Sequence, residues 1–176
     1  MTTVDETNYA SLGVTIRTAM LRAAAKNPPS RNQPLAIPWG NKLIQTVDVI
    51  PVPEKGLVRG EFLAVNGNPD QGFDVKVDGC LLLANGEQVA LLRTWYDPLY
   101  EPAVEYEFHS KDGFLRVWNV YKMRYPRGRV HEEKWTENAG FWVETVCERE
   151  RIYHCSHGAA SPPDFGSLVF KITINP

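Results

Sequence analysis

The stretch AVEYEFHSKDGFLRVWNVYKM (103–123) decides the fold. Apolar and polar residues alternate on both sides of Asp112-Gly113, which is the period of a half-buried strand. The Asp-Gly pair is itself a tight-turn signal, so the spacing predicts a hairpin centred there. One face of that hairpin carries Val104, Tyr106, Phe108, Leu115, Val117, Asn119, Tyr121 and Met123. The other carries Glu105, Glu107, His109, Phe114, Arg116, Trp118 and Val120. The first set holds no formal charge and is the expected core face, because opposed residues of an antiparallel pair share a side. Three polar handles and a flexible thioether stand on that apolar wall, so Tyr106, Asn119, Tyr121 and Met123 are the expected ligand contacts.

The period of two extends in both directions. From about Leu43 to the end, short runs rich in Val, Ile, Phe, Tyr, Trp and Thr are separated by turn residues, as antiparallel strands require. Asn85-Gly86 and Asn138-Ala139-Gly140 read as two further hairpins. Nine of the nineteen aromatic residues fall within Trp95–Tyr125, where uniform scattering would put about three, so this stretch is expected to line the thickest part of the interior. Upstream, residues 9–26 read as a helix, with Leu12, Ile16, Met20 and Ala24 at four-residue spacing. Asn27-Pro28-Pro29 ends it, because proline cannot continue the hydrogen-bond ladder. Residues 27–42 hold four prolines and read as an extended connection. The expected architecture is one domain over 1–176: the helix 9–26, the Pro-rich connection 27–42, and an antiparallel β-barrel, or else a sandwich, over 43–176.

The joint at Asn138-Ala139-Gly140 carries the richest chemistry. With Thr136 opposite Phe141, Glu133 faces Glu144 beside a Trp135–Trp142 pair, and His131 stands on the same face. Inside a barrel, two such carboxylates cannot both ionise readily, so one pKa should rise. A raised carboxyl and an ionised neighbour can divide acid and base work, which makes Glu133, Glu144 and His131 the expected catalytic residues. Trp135 and Trp142 then belong to the substrate wall. The Asn85-Gly86 hairpin sets Asp78 opposite Arg93, an ion pair or, with Arg93 turned inward, a grip on a substrate carboxylate.

Composition narrows the function classes. Lys and Arg number 19 against 21 Asp and Glu, a net charge of −2, which gives no general electrostatic reason to bind nucleic acid. The short basic patch of Lys122, Arg124, Arg127 and Arg129 with Tyr121 and Tyr125 reads as a solvated turn. No apolar run approaches the ~18–20 residues of a membrane span, and the acidic start MTTVDE does not read as a secretory signal. Three cysteines are too few and too odd for a disulfide framework, so a cytoplasmic setting with reduced thiols is expected. Cys147, His154, Cys155 and His157 match no paired-ligand spacing, and no metal or other cofactor is expected. Phosphate-loop, dinucleotide, zinc-protease and nucleophile-elbow motifs are all missing.

A helix-led chain followed by a long antiparallel meander with an aromatic interior resembles the lipocalin-like and other calycin-type barrels. That resemblance is one of architecture. It implies a small apolar ligand, and in some members of the group cofactor-free cyclisation or isomerisation. The functional expectation is therefore a cofactor-independent enzyme acting on a hydrophobic or aromatic metabolite by isomerisation, cyclisation, dehydration or decarboxylation. The alternative is a non-catalytic small-molecule-binding or protein-interaction barrel. A small hydrophobic or aromatic molecule, and in a homodimer a second copy of the chain, are the expected partners.

Overall fold

The computed structural model describes residues 2–176. In chain order its elements are β1 (Thr3–Val4), α1 (Ile16–Lys26), β2 (Leu35–Trp39), β3 (Lys42–Ile44), β4 (Asp48–Pro51), β5 (Lys55–Val65), β6 (Gln71–Leu82) and β7 (Gln88–Trp95). They continue with β8 (Ala103–Arg124), β9 (Val130–Glu133), β10 (Gly140–Cys147), β11 (Glu150–Ser156) and β12 (Leu168–Asn175). The chain is mainly β, as its period of two predicts. It forms two sheets: β1-β2-β3, and a nine-stranded sheet ordered β10-β11-β12-β5-β8-β6-β7 with β4 and β9 also paired to β8.

The expected closed barrel is not formed. Among the described residues the end strands β7 and β10 are not paired with each other. β10 instead turns its free edge toward the small sheet, through a bridge between Gln45 and Phe141. No helix among the described residues is long and apolar enough to cross a membrane.

Two expected hairpins are also absent. Residues 103–124 form one long bent strand rather than a reversal at Asp112-Gly113. β6 runs beside it from Glu107 to Tyr121, and between the pairs Val77↔Leu115 and Gly79↔Ser110 four residues of β8 face one of β6. The excess residues make an outward bulge that the chain satisfies locally. Ser110 Oγ accepts from the N–H groups of Gly113 and Phe114, and Asp112 Oδ1 accepts from Phe114 N–H. A turn whose polar groups are met in this way does not have to fold the strand back.

At residues 135–140 the chain is recruited by the helix. Asn138 Oδ1 accepts from Ile16 N–H, and Glu137 carbonyl accepts from Arg17 N–H, so two of the unpaired donors at the α1 N-terminus are met from this segment. Thr15 completes the cap by accepting from Thr18 N–H. β9 therefore pairs with β8, with Glu133 opposite Tyr121, while β10 pairs with β11, with Glu144 opposite Ile152. The third expected hairpin is present: β6 and β7 are antiparallel across Asn85-Gly86, with Gly86 at φ +84°.

The helix is shorter than its four-residue spacing predicts. Residues 9–15 are not helical. Gly13 sits at φ +65° and Thr15 is extended, and Tyr9 is held by Pro38 carbonyl and buried. α1 buries Ile16, Ala19 and Ala23, while Leu12 is 49% exposed. A strict spacing of four drifts off a face that recurs every 3.6 residues. The Pro-rich connection likewise contains β2, which pairs with both β1 and β3. Two apolar clusters result. The larger lies on the nine-stranded sheet around Phe73, Leu115, Tyr153 and Phe170; the smaller joins α1 to β2 and β3 through Ile16, Ala19, Ile37 and Ile44.

Candidate functional site

The residues singled out from the sequence come together only in part: Tyr121 and Met123 lie opposite Glu133 and His131, and the rest are scattered. Glu133 receives the Tyr125 hydroxyl at 3.1 Å, and Glu144 lies 3.2 Å from His154 Nε2; no strand pairing or hydrogen bond joins the two carboxylates. His131 is exposed, with its ring edge-on to Tyr125. Glu144 is thus parted from the other two, because β10 pairs with β11, while His131 and Glu133 stay together on β9 opposite Met123 and Tyr121. Trp142 is also separated from Trp135. It stacks on His154 at 3.8 Å, with Lys42 Nζ 4.0 Å from its ring centroid.

Arg93 opposes Asp74 and not Asp78, because between the pairs Lys76↔Leu91 and Leu81↔Val89 four residues of β6 face one of β7. It grips the fully buried Asp74 with two bonds of 2.8 Å and also reaches Glu132. That pairing occupies the guanidinium. Tyr106, Asn119 and Tyr121 are buried as expected. Asn119 Nδ2 donates to Ser156 carbonyl, and Tyr121 hydroxyl is bonded to Thr136, so both are committed within the core. Met123 is half-buried beside Asn68, Pro69 and Asp70.

Trp135 alone of this set lines an apolar cavity between α1 and the sheet. This groove has a volume of about 410 Å³. Met20, Leu21 and Ala24 of α1 form one wall; Leu35, Val47 and Val49 face them; Arg17 and Arg31 stand at its margin. A smaller cavity of about 240 Å³ shares Arg31, Val47 and Trp135 with it and adds Lys76, Asp78, Arg116 and Trp118.

Register explains this composition. β8 sets Arg116 opposite Val49 of β4 on one side and opposite Lys76 of β6 on the other. Directly opposed residues share a face, so the buried Arg116 and the exposed Lys76 both line the smaller cavity. Trp118 follows two residues along β8 on the same face. Its ring lies 5.3 Å from that of Trp135, and Lys134 Nζ caps both rings at 4.9 and 4.4 Å. Trp135 Nε1 donates to Thr46 carbonyl, whereas Trp118 Nε1 is buried without a partner.

Charge in this corner is unbalanced. Arg116 donates to Asn32 at 2.6 Å and to Asp112 at 2.9 Å, and Arg31 reaches Asp78 and Asp112 at 3.3 and 3.6 Å. Burial would raise the Asp112 carboxyl, but Arg116 and the Phe114 N–H outweigh it and hold the group below its ordinary value. Asp112 is therefore ionised at neutral pH. Even so, Arg31, Lys76 and Arg116 stand against only Asp78 and Asp112, with Lys134 a further cation over the indoles.

Neither Arg116 nor Trp118 was a candidate from sequence, because the hairpin reading set them on the face away from the core. One signal was available: a Trp and an Arg two residues apart inside the densest aromatic stretch. Among the described residues no three His, Cys, Asp or Glu side chains come together as metal ligands. Comparisons with protein-family models, with curated proteins and with solved structures find no match.

Proposed function

We propose that this protein binds a small amphipathic monoanion, with its apolar body in the groove under α1 and its acidic group over Arg116 and Lys76. The observation that carries this reading is the opposed Lys76–Arg116 pair lining the smaller cavity beside the Trp118 and Trp135 rings. Like charges opposed on neighbouring strands are destabilising. A bound carboxylate between the two cations relieves that repulsion. The apolar wall supplies the remaining binding energy at roughly 25 cal/mol per Å² removed from water.

Acid–base catalysis by Glu133, Glu144 and His131 finds no support in this geometry, since none of the three lines the groove. The binding reading therefore leads. Its test is a fluorescence titration of the folded protein, with Trp118 and Trp135 as reporters and decanoate and decanol as probes. Decanoate should quench or shift the emission and bind at least tenfold tighter than decanol. Lys76→Gln should remove about tenfold of the decanoate affinity, the equivalent of about 1.4 kcal/mol, and leave decanol unchanged. Equal binding of acid and alcohol, or no binding of either, would sink the proposal.

A further inference from the structure

A second cluster of reactive groups lies on other positions of β5, β8 and β6 and uses none of the groove. His109 of β8 stands directly opposite Lys55 of β5 on one side and directly opposite Cys80 of β6 on the other. The three side chains therefore share one face, with neighbouring Cβ atoms about 5 Å apart. His109 Nε2 lies 3.0 Å from Glu54 Oε1. A carboxylate on Nε2 keeps the ring proton there and leaves Nδ1 as a free base. Gly79, next to Cys80, sits at φ +147° where a Cβ would collide with His109 carbonyl, so the two strands approach closely at this point. Lys55, Cys80 and His109 all line one cavity of about 530 Å³, together with Leu57, Leu82 and Glu107.

We propose that Cys80, His109 and Glu54 form a nucleophilic thiol site for small uncharged α,β-unsaturated carbonyl compounds. Cys80 Sγ adds to the β-carbon of the alkene while its proton passes to His109 Nδ1. The alkene electron pair moves to the α-carbon, which then takes that proton back from His109, so the addition needs no other reactant. Glu54 is a positioning residue: its charge holds the imidazole and stabilises it while it carries the proton. The Lys55 ammonium favours a developing thiolate, and Glu107 on the same face opposes it in part.

The three cysteines provide an internal series. Cys147 is exposed, Cys80 half-buried and Cys155 buried, and all three are free. Accessibility alone orders their reactivity as Cys147, Cys80, Cys155. The folded full chain is treated with acrylamide at neutral pH, and each cysteine is followed by peptide mass spectrometry. Cys80 should react at least about tenfold faster than Cys147, within the range that a positioned base contributes. His109→Gln should bring Cys80 to or below the rate of Cys147, with Cys147 unchanged and Cys155 still protected as the sign of an intact fold. Glu54→Gln should lose most of the advantage and Glu54→Asp should regain part of it, which a purely structural role for Glu54 would not produce. If Cys147 reacts faster than Cys80 in the unaltered protein, or if His109→Gln leaves the Cys80 rate unchanged, the site does not exist.

Discussion

Tyr106 and Tyr121 share a strand, a face and near-complete burial, yet their hydroxyl groups meet different fates. Tyr121 hydroxyl accepts from Thr136 N–H at 3.1 Å and also pairs with Thr136 Oγ1. Tyr106 hydroxyl is buried with no partner, and burial together with the nearby Asp74 charge holds its proton firmly on the oxygen. A satisfied hydroxyl contributes about 1 kcal/mol, while an unsatisfied one costs a desolvation penalty with no return. Tyr121→Phe should therefore lower the unfolding free energy by about 1 kcal/mol, and Tyr106→Phe should raise it by a comparable amount. Urea denaturation of the two variants checks the opposite signs, and a loss in both would mean that Tyr106 has an acceptor. Alternation in the sequence correctly places both residues on the core face. It is silent on which hydroxyl is satisfied, because the partner Thr136 arrives from a segment fifteen residues away.

At the scale of elements, α1 depends on contacts that no local pattern specifies. Its cap is partly supplied by Asn138, and its buried face rests where β10 begins. Gly140 stands at that junction. A Cβ there would come within 2.9 Å of Ile44 Cγ2, 3.2 Å of Gln45 carbonyl oxygen and 3.3 Å of Ile16 Cγ2. Gly140→Ala would push α1 and β3 off the sheet at once, and overpacking of this kind costs about 1–3 kcal/mol. Urea denaturation and the melting temperature should both register it, and an unchanged midpoint would show that the helix is not seated against this glycine. By contrast, a Cβ at Gly86 has nothing within 4 Å, and that glycine serves only its positive φ in the β6–β7 turn. The propensity and apolar spacing of residues 16–26 make the helix legible in the sequence. Its start was not legible, because Tyr9 is drawn away to Pro38.

Across the whole molecule, two apolar clusters meet at the groove. α1, β2 and β3 are held by the smaller one, and the nine-stranded sheet by the larger. The unit with less buried apolar surface opens first. Amide hydrogen exchange in α1 should therefore be at least about tenfold faster than in residues 115–121 of β8, a difference of about 1.4 kcal/mol in opening free energy. Equal protection of the two regions would mean that they open as one unit. The sequence alone determines the β character of everything after residue 42, the core identity of Tyr106, Phe108, Leu115 and Val117, and the existence of a helix before it. These follow from side-chain period and propensity, which act within a few residues. Strand partners are a different matter. Every residue offers the same backbone donor and acceptor, so a strand can pair wherever the rest of the chain delivers an edge. Tertiary structure alone decided that Glu133 faces Tyr121, that Glu144 faces Ile152, and that Lys76 faces Arg116.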